Sequence, residues 1–285
     1  MNKIITAAVA AIGIAASAPA AAIVVGGINF GAAGNTVHIE TATLAETLVN
    51  ATGQTLQGYG VISTVNGASN YCAVGSCSLY YHFYDYTVSA FNGSGVQFTG
   101  GIVDIYYNPT AQLNMFDQNS PDNITMIQGM TPWARLLGHT FADPVFNLVN
   151  PVGFNATQTL NGNGTLTGAT LTQNGQGMVD IDTSGAFGLA AVAAYLDGNS
   201  IADNLGGFAD IVLTSSSNNF VLNPEDVADG FATGCLTGQA AAGAWCLQGT
   251  LNTRGATVVP EPAALALLGI GLLGLGIARR NKKRA

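Results

Sequence analysis

Between residues 23 and 255 the chain alternates short apolar runs with Gly, Asn and Ser, and most runs follow the two-residue period of a β-strand. The run at residues 79–88, LYYHFYDYTV, is rich in the aromatic and β-branched residues that favour strands. Successive side chains of a strand point to opposite faces, so the run predicts two faces. One face carries Tyr80, His82, Tyr84, Tyr86 and Val88. The other carries Leu79, Tyr81, Phe83, Asp85 and Thr87.

Turn signals such as Asn92-Gly93 and Asn174-Gly175 recur about every ten residues along this region. Further strands are predicted at residues 95–99, 102–107, 164–171, 177–182, 209–214 and 219–222. Helix is limited to a short segment at residues 43–49 and an Ala-rich stretch at residues 187–196. The pattern therefore predicts an all-β body with little helix, arranged as a β-sandwich or a jelly roll.

The first 22 residues have a different pattern from the body. Lys3 precedes an apolar run from Ile4 to Ala16, and the small residues Ala18-Pro19-Ala20 and Ala20-Ala21-Ala22 follow it. This order is typical of a signal peptide that signal peptidase removes. The alternative is a retained anchor helix, but the apolar run is short for a membrane span. We therefore assign residues 1–22 to a helical signal peptide.

A second apolar run, from Ala263 to Ala278, lies near the end of the chain. It is followed by a basic cluster of Arg279, Arg280, Lys282, Lys283 and Arg284. The run is slightly shorter than the ~20 residues of a typical transmembrane helix, but it can cross a locally thinned bilayer. By the positive-inside rule the basic cluster stays in the cytoplasm, so the body is exported. Both ends of the chain predict the same topology.

Val259, Pro260, Glu261 and Pro262 stand directly before this run, and the prolines keep the motif extended and outside the helix. The Pro-Glu-Pro motif, apolar helix and basic end of residues 258–285 resemble the PEP-CTERM sorting signal of Gram-negative bacteria. The resemblance implies an exosortase-type processing enzyme, a precursor anchored transiently in the inner membrane, and a final location at the cell surface or outside the cell. It also implies a part in exopolysaccharide, biofilm or floc formation, with exopolysaccharide as a partner. The alternative is an ordinary C-terminal anchor behind a Pro-containing linker.

The chain thus divides into a signal peptide (1–22), a Gly- and Asn-rich body (23–257) and a sorting segment (258–285). Of the 8 basic residues only Arg135 and Arg254 lie in the body, against 15 of the 16 acidic ones. The body carries a net charge of −13, which repels phosphate backbones, so we expect no nucleic-acid partner. Such a surface suits an exported protein that meets cations or neutral sugars.

The body contains four cysteines, Cys72, Cys77, Cys235 and Cys246. An even number of cysteines in an exported protein predicts disulfides, and pairing of nearest neighbours would close two loops. The sequence alone leaves three pairings open. A zinc site is disfavoured because Cys-x-x-Cys spacing is missing and the compartment is oxidising, so we expect no metal there.

The sequence contains no Gly-x-Ser-x-Gly elbow, His-Glu-x-x-His motif, P-loop or Rossmann fingerprint. The histidines His38, His82 and His139 are expected to be packed or surface residues rather than catalytic bases. Carboxylate pairs for glycoside hydrolysis can be drawn from Asp180 and Asp182, with Asp85 and Asp104 as further candidates. Calcium ligands are available at residues 197–204 and 225–229, without EF-hand spacing. We expect a non-enzymatic protein without a cofactor.

Tyr80, Tyr84 and Tyr86 on one strand face are a candidate platform for stacking sugar rings. The alternative is that this face is half of the hydrophobic core. The sequence therefore predicts an exported surface or matrix protein with a structural or adhesive role. A secreted carbohydrate-binding module and a glycan-acting hydrolase remain the alternatives.

Overall fold

The computed structural model describes residues 22–32, 36–150 and 153–258. The predicted signal peptide, apart from Ala22, and the predicted transmembrane run lie outside these ranges. The described part of the chain is mostly strand with little helix, which confirms the all-β prediction. No helix in these ranges has both the length and the apolar character needed to cross a membrane.

The body consists of fifteen strands, four short helices and one 3-10 turn, counted over the described ranges. The strands are β1 (Ala22–Val25), β2 (Ile28–Ala32), β3 (Thr36–Thr47), β4 (Thr55–Val65), β5 (Ser78–Phe91), β6 (Gly95–Asn108), β7 (Thr131–Gly138), β8 (Phe141–Ala142), β9 (Thr157–Gln158), β10 (Leu160–Thr165), β11 (Thr172–Ile181), β12 (Ile201–Ala202), β13 (Phe208–Ala209), β14 (Ile211–Asn218) and β15 (Trp245–Ala256). The helices are α1 (Ser120–Gln128), α2 (Pro144–Val149), α3 (Ala190–Leu196) and α4 (Pro224–Ala228), and the 3-10 turn is Cys235–Thr237.

The large sheet is antiparallel and closes on itself. Eight strands follow in the order β10-β11-β14-β15-β3-β4-β5-β6, and β10 pairs again with β6, where Leu160 stands opposite Phe98. β7 extends this closure because it pairs with both β6 and β11. The sequence pattern predicted strands arranged as a sandwich or a jelly roll. In the structure, eight of the strands join into one closed sheet.

Aromatic rings fill the interior of the closed sheet, and they stand opposite glycines. A Cβ atom on Gly58 would overlap the ring of Phe83, and one on Gly60 would overlap the backbone of β3 as well as the ring of Tyr81. Gly101 leaves the corresponding space for Tyr86. Burying one such aromatic side chain stabilises the fold by roughly 1.5–3 kcal/mol. The glycines of β4 and β6 therefore leave the space that the aromatic rings of β5 occupy.

A β-bulge at Asp85 exchanges the two faces of β5. Asp85 has a φ of +58°, and at this level β5 has one residue more than β4 between paired positions. An extra residue in one strand reverses the alternation beyond it. Tyr86 and Val88 consequently point into the interior with Phe83, whereas Tyr80 packs on the opposite side of the sheet. The prediction that Tyr86 and Val88 share the face of Tyr80 is wrong for this reason.

Two disulfides connect cysteines that are nearest neighbours in the sequence, which is one of the three pairings that the sequence left open. Cys72 is bonded to Cys77, and Cys235 is bonded to Cys246 at the start of β15. A bridged loop of this kind typically contributes about 2–4 kcal/mol by restricting the unfolded chain. These bonds fit a protein that folds in an oxidising compartment.

Candidate functional site

A polar cluster lies on the outer face of the sheet where β5, β6 and β7 run side by side. His82 stands opposite Asp104, and Asp104 stands opposite Arg135, so cross-strand pairing brings the three side chains together. We call this group the Asp104 cluster. It consists of His82, Tyr84, Asp104, Tyr106, Arg135 and Phe187. It unites residues from three strands and from the loop before α3.

Asp104 and Arg135 form a bidentate ion pair at the centre of this cluster. Arg135 Nε donates to Asp104 Oδ1 at 2.6 Å, and Arg135 Nη2 donates to Asp104 Oδ2 at 2.8 Å. The hydroxyl of Tyr84 also donates to Oδ2, at 3.1 Å. The guanidinium carbon lies 4.3 Å from the centre of the Phe187 ring, a cation–π contact. The hydrogen bonds to Asp104 raise the pKa of Arg135, so its guanidinium group is protonated at neutral pH.

His82 is buried beside this ion pair and is neutral at physiological pH. Its ring stacks on Tyr84 with the centres 4.8 Å apart, and Nδ1 lies 3.4 Å from Nε2 of Gln128 in α1. Nε2 of His82 has no hydrogen-bond partner within the described part of the chain. Burial lowers the pKa of His82 to about 4, and this effect outweighs the opposing charges of Asp104 and Asp85. The group is therefore poorly suited to proton transfer near neutral pH.

The three tyrosines of the proposed sugar platform do not share an exposed face. Tyr80 is 0 % exposed, and its hydroxyl accepts a hydrogen bond from the backbone N–H of Leu113. Tyr86 is 2 % exposed and points into the interior beyond the bulge. Only Tyr84 reaches the partly exposed outer face, within the Asp104 cluster. The platform as drawn from the sequence is wrong because segments packed on the sheet cover Tyr80 and the bulge redirects Tyr86.

His139 forms a second polar cluster with two of the acidic residues. Its Nδ1 lies 2.7 Å from Asp180 Oδ2, and its Nε2 lies 3.2 Å from Asp203 Oδ2. Burial by itself lowers the pKa of His139, but the hydrogen bonds to Asp180 and Asp203 together raise it. Sequence reasoning missed this cluster because its members lie 41 and 64 positions apart and carry no common motif.

The predicted carboxylate pair and calcium loops make internal contacts. Asp182 accepts a hydrogen bond from the N–H of Ser184, while Asp180 is bound to His139. Asp203 accepts from the N–H groups of Leu205 and Gly207. In the second loop, Asp226 accepts from the backbone N–H and the hydroxyl of Ser120. Across the ranges described, no group of three or more His, Cys, Asp or Glu side chains is placed to hold a metal ion.

The sorting residues begin where the described body ends. Val259 to Pro262, the apolar run and the basic cluster all lie outside the described residues. β15 ends at Ala256, and the N–H of Val258 donates to the carbonyl of Tyr195 in α3 at 2.9 Å. The predicted motif therefore follows directly on a segment that is hydrogen-bonded to the body.

Comparison with known families identifies this segment. A family model described as the PEP-CTERM protein-sorting motif matches residues 258–283. No significant similarity to a curated protein or to a solved structure was found. The match covers the Pro-Glu-Pro residues, the apolar run and most of the basic cluster, and this family of signals is processed by exosortase. The chain thus carries a PEP-CTERM sorting motif, and it is an exported protein that is made as a membrane-anchored precursor and sorted by an exosortase.

Proposed function

We propose that the protein is a non-enzymatic component of the cell surface or of the extracellular matrix, with a structural or adhesive role in exopolysaccharide, biofilm or floc formation. The observation that carries this proposal is the PEP-CTERM motif placed directly after an acidic, disulfide-bonded body. Signal peptidase removes residues 1–22, the inner membrane holds the precursor transiently, and exosortase then processes it. Exopolysaccharide is the proposed partner outside the cell.

The contacts of the polar side chains favour a structural role over catalysis. A glycan hydrolase needs two carboxyl groups about 5–10 Å apart that are free to act on the glycosidic bond. Asp104 is held by Arg135, and Asp180 is held by His139. These residues stabilise the junctions between strands, so we propose that the protein does not act as a glycan hydrolase.

A carbohydrate-binding module is the second candidate, and the Asp104 cluster favours it. Tyr84 and Phe187 are partly exposed aromatic rings beside a guanidinium group. Sugars bind such sites by stacking on the ring and by hydrogen-bonding to the neighbouring polar groups. A glycan array probed with the exported protein and with its Tyr84→Ala variant tests this candidate. Binding that is lost in the variant supports it, and an array without any signal contradicts it.

Deletion of residues 258–285 tests the main proposal. We expect the truncated protein to be exported, but we expect that exosortase does not process it and that it is not kept at the cell surface. Floc or biofilm formation should then fall. The matched control replaces residues 258–285 with an ordinary transmembrane anchor that lacks Pro-Glu-Pro. It should stay in the membrane fraction without processing. Unchanged processing and surface retention after the deletion would contradict the proposal.

A further inference from the structure

A cavity of about 50 Å³ lies inside the closed sheet. Side chains from β3, β4, β5, β6, β10, β14 and β15 form its wall, which is seven of the eight strands of the ring. Most of this wall is apolar, and Leu56, Phe83, Val103, Leu160 and Leu213 contribute to it. An eight-stranded closed sheet has an interior that side chains fill or that holds one small ligand. The cavity is therefore a place where a small molecule can bind.

Glu46 brings a carboxyl group to this apolar wall. Its side chain is buried, and Oε1 accepts a hydrogen bond from Nε2 of Gln173 at 3.1 Å. Burial raises the pKa of Glu46 to about 7, although the bond from Gln173 opposes this effect. Glu46 carries the one carboxyl group among the residues that line the cavity, all of which are described. A charged group in such surroundings gains from a partner of opposite charge.

Tyr86 supplies a second polar group without a partner. Its side chain lines the same cavity and is 2 % exposed, and its hydroxyl has no hydrogen-bond partner within the described ranges. A buried hydroxyl that makes no hydrogen bond costs free energy, so a molecule that bonds to it is stabilised. The few polar groups in an apolar wall match the usual composition of a small-molecule site.

The size and chemistry of the cavity restrict the ligand. The cavity is about a third of the ~150 Å³ engineered cavity that binds benzene, so only a few non-hydrogen atoms fit. A primary ammonium group donates three hydrogen bonds and neutralises a carboxylate, whereas an anion would be repelled by Glu46. We propose that the interior of the sheet binds a short-chain primary amine, with its ammonium group on Glu46 and the Tyr86 hydroxyl and its alkyl chain among the leucines.

Titration of the exported protein with n-propylamine at pH 8 tests this site, with thermal unfolding and methyl NMR as the two readouts. We expect the amine to raise the Tm and to show close contacts with the methyl groups of Leu160 and Leu213. Glu46→Gln keeps the shape of the side chain and removes its charge, so the apparent Kd should rise at least tenfold. Glu40→Gln is the matched control, because it makes the same change on the same strand at a side chain that is 43 % exposed. This control should bind like the wild type.

Two further comparisons keep the proposal testable if Glu46→Gln fails to fold. Tyr86→Phe should weaken binding severalfold, and n-propanol, which has the same length but no charge, should bind more weakly than the amine. Below pH 7 the amine must displace the proton of Glu46, so the apparent Kd should rise about tenfold per pH unit. Equal binding of amine and alcohol, equal binding by wild type and Glu46→Gln, or NMR contacts confined to the outer surface would each overturn the proposal. So would the absence of any response to the amine.

Discussion

At the scale of single residues, Asp104 and Arg135 depend on each other. Asp104 is 3 % exposed, and two guanidinium N–H groups and the hydroxyls of two tyrosines donate hydrogen bonds to its carboxylate. Removing one partner of such a pair leaves a buried charge without compensation, which costs more than the pair itself contributes. Glu46 shows the opposite case. Its carboxyl group is buried without a cationic partner, so burial raises its pKa and disfavours the ionised form.

Arg135→Ala should lower the free energy of unfolding by about 3 kcal/mol, because Asp104 would remain buried and unpaired. Chemical denaturation at pH 7 measures this change. Arg254→Ala is the control, since it removes the other basic residue of the body at an exposed position. A loss of equal size in both variants would show that the total charge matters and the ion pair does not.

Glu46→Gln should make the protein more stable at pH 8 but not at pH 4. The ordinary pKa of the carboxyl is 4.5 and burial raises it to about 7, so below pH 4.5 it is protonated in both folded and unfolded states. As the pH rises through this window the unfolded state ionises first, and the wild type loses about 3 kcal/mol of stability by pH 8. Denaturant unfolding of both proteins across this pH range checks the difference. A stability gap that does not change with pH would contradict it.

At the scale of strands and helices, the bulge in β5 decides which tyrosines face inward. Asp85 adopts a positive φ, and Gly100 and Gly101 on the neighbouring strand β6 do so as well. Asp and Asn tolerate this conformation far better than β-branched residues do. At the point where the inward and outward side chains of β5 change places, the residues with positive φ are therefore ones that tolerate it: Asp85 in β5, and Gly100 and Gly101 in β6.

Asp85→Val should destabilise the protein by about 1–2 kcal/mol, because a β-branched residue at positive φ is strained. Asp85→Asn and Asp85→Gly should leave the stability nearly unchanged. Thermal unfolding of the three variants measures the effect. Asp85 is exposed, so a loss of stability in all three would point to its charge and not to the backbone.

The sequence predicted the class of the fold but not its closure. The strands predicted at residues 79–88, 95–99, 102–107, 177–182 and 209–214 rest on local periodicity, and the structure confirms them as strand. The strands predicted at residues 164–171 and 219–222 are wrong, because β10 ends at Thr165, β11 begins at Thr172 and β14 ends at Asn218. The turn predicted at Asn174-Gly175 is also wrong, because both residues pair with β10 and β14 inside β11. The helix predicted at residues 43–49 is wrong, because Thr36–Thr47 forms β3 between β4 and β15, and strand pairing overrides local preference. The pairing of Leu160 with Phe98 joins residues 62 positions apart. No local pattern specifies such a contact, and the same holds for the His139 cluster.

At the scale of the whole molecule, both ends of the described body lie at α3. Strand β1 contacts this helix, and Val258 is hydrogen-bonded to its residue Tyr195. Val258, the last described residue, therefore lies at the same helix as the strand that follows the predicted signal peptide. The basic residues lie almost entirely at the two ends of the chain, while the exported body is acidic. This division is the one expected if the predicted signal peptide and the sorting motif direct the chain to the membrane and the acidic body is exported.

Intact-mass measurement of the protein recovered from the cell surface or the medium tests this account most directly. We expect a chain that lacks residues 1–22 and also lacks the apolar run and basic cluster that follow Pro262. The same measurement on a variant in which Pro260, Glu261 and Pro262 are changed to Ala should find the C-terminal segment still attached, in the membrane fraction. A surface or secreted wild-type protein that retains its C-terminus at Ala285 would contradict sorting through this motif.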